Sequence, residues 1–136
     1  MREDAIPVRV AIREESDVAM ARKYARDLAR GQGLSRAATD ELVTAVSELA
    51  RNIVVHAGSG EIELRAVTEP GLSEIVAVAR DQGPGISDLT RALQDGYSTA
   101  GGLGLGLPSV ERIVDELVIT TTPGKGTTVM MTMVAR

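Results

Sequence analysis

Val8-Arg9-Val10-Ala11-Ile12 alternates along the chain and is rich in β-branched side chains, which predicts a short strand. The period then lengthens. Ser16 or Asp17 is the predicted cap of a helix running to about Arg30, stopped by Gly31 and Gly33. Ser35 caps the next helix, which reaches about His56. Its residues Leu42, Val43, Val46, Leu49, Ala50 and Ile53 form one apolar stripe at helical spacing. Gly58 and Gly60 close that helix. Glu61 to Val67 returns to a period of two, with Ile62 and Leu64 on one face. Ile75-Val76-Ala77-Val78-Ala79 is apolar without a break, as expected of a central strand buried on both faces. Ser87 or Asp88 opens a short helix to about Gln94. A loop spans residues 95–106, and Pro108 begins a helix to about Glu116. Leu117 to Thr122 and Thr127 to Val134 read as strands joined by the turn Pro123-Gly124-Lys125-Gly126.

The order is β-α-α-β-β-α-α-β-β. Two hairpin-like strand pairs imply antiparallel pairing, and the helices must cover one face of the sheet. The expected fold is an α/β (α+β) two-layer sandwich on a mixed, mainly antiparallel sheet. With 136 residues, one domain spanning 1–136 is expected, long enough to bury a core without metal or disulfide staples.

Composition removes several classes of function. The absence of cysteine rules out a disulfide framework or a thiolate metal site and agrees with a reducing cytoplasm. A formal net charge of −4, with two tyrosines as the only aromatics, supplies neither a basic footprint nor a stacking platform for nucleic acid. No apolar run approaches the ~20 residues of a membrane span, and Met1-Arg2-Glu3-Asp4 is not a hydrophobic signal segment. A cytoplasmic protein with no membrane or nucleic-acid partner is expected.

The candidate chemistry lies in three places. The central strand delivers Asp81 at its C-terminal end, where ligands tend to sit in sheets covered by helices. Asp81-Gln82-Gly83-Pro84-Gly85 sets a lone carboxylate beside a glycine turn, and Gly101-Gly102-Leu103-Gly104-Leu105-Gly106 follows about twenty residues later. Glycine lets backbone N–H groups approach an anion, and a carboxylate accepts from an amino-bearing ring. A nucleotide pocket and a merely flexible loop both fit each half alone. Tyr97-Ser98-Thr99-Ala100 adds hydroxyls, and Gly106-Leu107-Pro108 leads into a helix N-terminus that attracts anions. No Gly-Lys-Ser/Thr follows the run, so it is not a Walker loop. On the long helix, Glu48 and Asn52 share a face at the margin of the apolar stripe. The pair could be a general base beside a Mg²⁺ ligand, or a solvated helix edge. Arg51 is expected to be structural. His56, the sole histidine, sits near a helix C-terminus, where its expected role is a favourable interaction with the dipole. Thr127 could reach the same ring as Asp81 only if their strands are neighbours.

Together, Glu48…Asn52, Asp81-x-Gly83-x-Gly85, Gly102-x-Gly104-x-Gly106 and Gly124-x-Gly126-Thr127 resemble the boxes of the GHKL ATPase superfamily, which includes gyrase, Hsp90, histidine kinases and MutL. The resemblance implies the Bergerat fold, with ATP and Mg²⁺ held under a mobile lid. Ser47-Glu48-Leu49-Ala50-Arg51-Asn52-Ile53, Asp81 to Ile86, and Asp95 to Pro108 look like the RsbT-type switch kinases, over nearly the whole chain. One departure is Tyr97, where that family carries phenylalanine. Members are serine/threonine-protein kinases that phosphorylate STAS-domain antagonist and scaffold proteins of the stressosome. They then leave these proteins and activate a protein phosphatase. By this resemblance Glu48 is the base or water-orienting residue and Asn52 the Mg²⁺ ligand. Asp81 receives the adenine amino group, and Gly83 and Gly85 shape the base pocket. Ser98, Thr99, Gly102, Leu103, Gly104, Leu105 and Gly106 cradle the phosphates, and Thr127 supports adenine. Two other readings share the pocket: an ATP-gated anti-sigma factor with kinase activity toward an anti-anti-sigma protein, and a pseudo-enzyme that binds no nucleotide.

Overall fold

A computed structural model describes residues 3–4, 7–86 and 106–136 of the chain. Strands β1 (Glu3–Asp4) and β2 (Val8–Ile12) both pair with β3 (Gly60–Glu69). β4 (Leu72–Asp81), β5 (Glu116–Thr122) and β6 (Gly126–Val134) extend the sheet in the order β3-β4-β6-β5. Every pairing among the described strands is antiparallel. β4 is central, as its unbroken apolar run predicts.

Helices α1 (Glu15–Gly31), α2 (Arg36–Asn52) and α3 (Leu107–Ile113) pack on one face. α1 buries Val18, Ala21, Ala25 and Ala29, a stripe so small in volume that the helix lies close to its neighbours. α2 buries five of the six residues of the predicted stripe, and the sixth, Ile53, is buried just beyond its end. The strands supply Ile62 and Leu64 from β3, Ile75, Ala77 and Ala79 from β4, and Val129, Met131 and Met133 from β6. The alternate residues face away. There Val67, Val76, Val78 and Met130 form a smaller apolar cluster, so β4 is buried on its second face too, with no helix over it among the described residues. Around it, Glu63 pairs with Arg9 at 3.4 Å and Arg80 at 3.5 Å.

Three boundaries differ from expectation. α1 starts before its predicted cap: Glu14 is the N-cap, and the Asp17 carboxylate reaches back to accept from the Arg13 and Glu14 N–H groups at 2.9 and 3.2 Å. Asp17 thus serves the cap from the first turn. Ser35 caps α2 as expected, accepting from Ala38 N–H at 3.1 Å. The long helix then changes character at Ile53–Ala57, which is a π-helical turn closed by Gly58 N–H to the Ile53 carbonyl at 2.8 Å. α3 ends at Ile113 rather than Glu116, because Val114 is already extended and Asp115 N–H joins the Thr132 carbonyl at 2.9 Å. The helix predicted from Ser87 or Asp88 to Gln94 lies outside the described residues.

Candidate functional site

The sheet register builds the floor of the site. On the helix-covered face, the row Ile62, Ala79, Val129 and Ile119 is apolar. Two residues further along each strand, the same face carries Gly60, Asp81, Thr127 and Thr121 in a line. A period of two forces this: whatever stands two positions from a core residue faces the same way. The core face therefore ends in a polar row whose central members, Asp81 and Thr127, are direct cross-strand partners. This meets the condition for Thr127 to reach the same ring as Asp81.

The segment after β4 is stitched to the β5–β6 hairpin. The Asp81 carboxylate accepts from Gly83 N–H at 2.9 Å through Oδ1, and Gly124 N–H donates to the Pro84 carbonyl at 2.7 Å. Ile86 N–H donates to Thr121 Oγ1 at 2.8 Å. Gly85 lies against the Thr122 backbone. Gly126 has to be glycine: its φ is +120°, and a Cβ there would strike the Asp81 carbonyl and stand 2.8 Å from Gln82 Cα. The glycines thus let two backbones meet at the carboxylate.

α2 forms the opposite wall. Leu49, Asn52, Ile53, His56 and Ala57 line a cleft of about 170 Å³ together with Asp81, Pro84, Gly85, Ile86, Leu107 and Thr127. Its surface is apolar apart from a few side chains, the pattern of a site that buries a ring and orients it by a small number of polar groups. His56 is a cleft residue, which its expected dipole role did not foresee. It continues the stripe one step beyond Ile53, and the π-helical turn carries Ala57 onto Gly83, 2.7 Å from where a Cβ would stand. Glu48 is set one step round the helix from Leu49, at the rim. Its carboxylate lies against Gly106, the αL residue before α3, where any side chain would collide with it. Arg51 faces Glu48 at 3.8 Å and Glu15 at 3.5 Å, with all three partly exposed.

The structure thus gathers Asn52, Asp81, Gly85 and Thr127 around one cleft, with Gly83 held behind it against Asp81 and Ala57 and with Glu48 and Gly106 at its edge. Ser98, Thr99, Gly102, Leu103, Gly104 and Leu105 lie outside the described residues. Sequence reasoning missed His56, Ala57 and Thr121. Helical spacing from Leu49 and Asn52 points to His56, and strand parity with Thr127 points to Thr121. Among the described residues no helix is long and apolar enough to cross a membrane.

Comparison with known proteins agrees with this geometry. Residues 11–133 match the family model described as a histidine kinase-like ATPase domain. The chain is 42% identical over 118 residues to the serine/threonine-protein kinase RsbT of Bacillus subtilis strain 168, covering 87% of this chain and 89% of that protein. It is 33% identical over 96 residues to an anti-sigma F factor of Caldanaerobacter subterraneus subsp. tengcongensis, covering 68% and 67% of the two. A chain in the crystal structure of the SiaB–SiaC complex from Pseudomonas aeruginosa shares the fold, with a TM-score of 0.58, 14% identity, and coverage of 96% of this chain and 90% of that one. The protein belongs to the histidine kinase-like ATPase domain family and groups within it with the RsbT-type serine/threonine-protein kinases.

Proposed function

We propose that residues 1–136 act as one ATP-binding domain that transfers the γ-phosphoryl group of ATP to a serine or threonine of a partner protein in the cytoplasm. The observation that carries this is the register that sets Asp81 beside Thr127 on the floor of an apolar cleft, beneath the helix that bears Asn52 and Glu48. Asp81 accepts from the adenine amino group through the oxygen not used by Gly83. Gly83 and Gly85 shape the base pocket, and Thr127 supports the ring. Ser98, Thr99, Gly102, Leu103, Gly104, Leu105 and Gly106 cradle the phosphates. Among the described residues no cluster of three or more His, Cys, Asp or Glu could hold a metal. This donor set suits Mg²⁺ that arrives on the phosphates, keeps its waters and takes one protein oxygen, that of Asn52. When bound, Mg²⁺ neutralises charge on the phosphate oxygens.

Glu48 takes the proton of the attacking hydroxyl as its oxygen bonds to the γ-phosphorus and the bond to the β–γ bridging oxygen breaks, releasing ADP. The likeness to RsbT supports a STAS-domain antagonist or scaffold protein of a stressosome-like module as the substrate. A protein phosphatase is the partner activated after release. Incubation with labelled ATP and such a STAS-domain protein tests this: label is expected on serine or threonine, and its absence counts against the proposal. The anti-sigma F factor relatives support a second reading, an ATP-gated switch that binds a sigma factor and phosphorylates an anti-anti-sigma protein. Capture of a sigma factor in place of STAS and phosphatase partners would favour it.

A further inference from the structure

The sequence gives Arg51 no more than a structural role, yet its guanidinium joins two carboxylates that belong to different helices. Nη1 stands 3.8 Å from Glu48 Oε1, and Nη2 donates to Glu15 Oε1 at 3.5 Å. A long helical side chain leans back over the turn N-terminal to its own Cα. Glu48 stands on that turn, three positions earlier, so this half of the contact follows from spacing. Glu15 comes from outside the helix. It is the first residue of α1, and the reciprocal cap of Glu14 and Asp17 fixes that end. The guanidinium is therefore held from two sides, one of them a separate packed element.

What the Glu48 carboxylate faces gives this contact its interest. Oε1 is turned to Arg51, and Oε2 lies against Gly106, where the chain enters α3. The two oxygens thus have different surroundings, a cation for one and the phosphate-side rim of the cleft for the other. Among the described residues no other lysine or arginine pairs with Glu48. The last torsion of a glutamate is broad and two-fold, so without a partner the carboxylate turns freely at the rim.

Exposed pairs of this length contribute little to stability. Positioning is a separate matter, because a displacement of about 1 Å in a reacting group can cost roughly 10²-fold in rate. We propose that Arg51 is a positioning residue for Glu48: braced by Glu15, it holds Oε1 and leaves Oε2 as the oxygen that takes the proton of the attacking hydroxyl. The proposal rests on Glu48 being the base.

The test uses the full chain, saturating Mg-ATP and the STAS-domain protein that accepts label. Three quantities are read for each variant: kcat for transfer, Kd for ATP, and the melting temperature as a check on folding. Arg51→Ala should lower kcat about tenfold while Kd for ATP changes less than twofold. Glu15→Gln keeps the arginine but removes its brace, and should lower kcat about threefold, the scale of one exposed ion pair. The decisive arm is Arg51→Ala combined with Glu48→Gln. A residue that acts through Glu48 has nothing left to act on there, so the added substitution should change kcat less than twofold. A kcat in Arg51→Ala or Glu15→Gln equal to that of the unsubstituted chain would overturn the proposal. So would a loss that persists undiminished beside Glu48→Gln, or one carried by ATP affinity alone, since Arg51 would then act on the nucleotide or the partner directly. An unsubstituted chain that transfers no label, or a Glu48→Gln chain as fast as it, removes the base reading and this proposal together. Transfer that depends on Glu48 and ignores Arg51 removes this proposal alone.

Discussion

Replacing Asp81 by asparagine isolates the charged group among the described residues of the cleft floor. In the native chain Oδ1 of Asp81 accepts from Gly83 N–H at 2.9 Å, and the second oxygen is left to accept from a ring amino group. Asparagine has a single acceptor oxygen and an NH₂ group that only donates. If its oxygen stays with Gly83, the NH₂ meets the ring amino group and two donors face each other. If it flips, the ring is satisfied and Gly83 N–H faces a donor. Either way one contact is lost, and the survivor is no longer charge-assisted. Hydrogen bonds to charged groups contribute about 1.5–3 kcal/mol, so ATP affinity should fall about 10- to 150-fold. Isothermal calorimetry with Mg-ATP reads the change, and a thermal melt confirms the fold. An Asp81→Asn chain that is folded and binds ATP within twofold of the unsubstituted chain would refute the assignment of Asp81 to the base.

Glu48→Gln removes the proton acceptor at the rim without touching the cleft floor, so ATP binding should persist while phosphotransfer falls roughly 10²–10⁴-fold; equal transfer rates would take Glu48 out of that role. Gly126→Ala puts a Cβ into the Asp81 backbone at a φ of +120°. It should cost about 1–3 kcal/mol from backbone strain alone and weaken ATP binding as well, read by urea unfolding and calorimetry. Leu42→Ala empties a fully buried site away from the cleft. It should cost about 2–5 kcal/mol of stability while the folded fraction binds ATP normally, which separates core damage from site damage. Arg51→Ala breaks contacts of 3.5 and 3.8 Å between partly exposed groups and should change stability by less than about 1 kcal/mol.

Much of the fold was legible because its signals are periodic. The six-residue stripe of α2 and the turn that follows it, and the alternation in β2 and β3, state which face is buried, and the unbroken run in β4 states that both are. Caps were less legible. Ser35 announces α2 by itself, but Asp17 serves its cap from inside the helix, so the true boundary lies upstream of the residue that attracts attention. The π-helical turn at Ile53–Ala57 leaves no mark on a 3.6-residue period, which is why Ala57 was not placed in the cleft, whereas the spacing from Leu49 and Asn52 to His56 was legible but was read only as a helix end. The pairing of Asp81 with Thr127 could be stated only as a condition, since composition does not say which strands neighbour each other. The motif boxes named the residues; the register showed why Asp81 and Thr127 meet, and why Thr121 stands in line with them.

Backbone amide shifts of an isotope-labelled chain, followed by NMR as Mg-ATP is added, bear most directly on whether these scattered segments form a single nucleotide site. The account predicts saturating shifts at Asn52, His56, Gly83, Gly85 and Thr127 with one common dissociation constant, while Val67, Val76 and Val78 on the far face of the sheet stay still. A folded chain showing no shifts at millimolar nucleotide, or shifts centred on that far face, would contradict it.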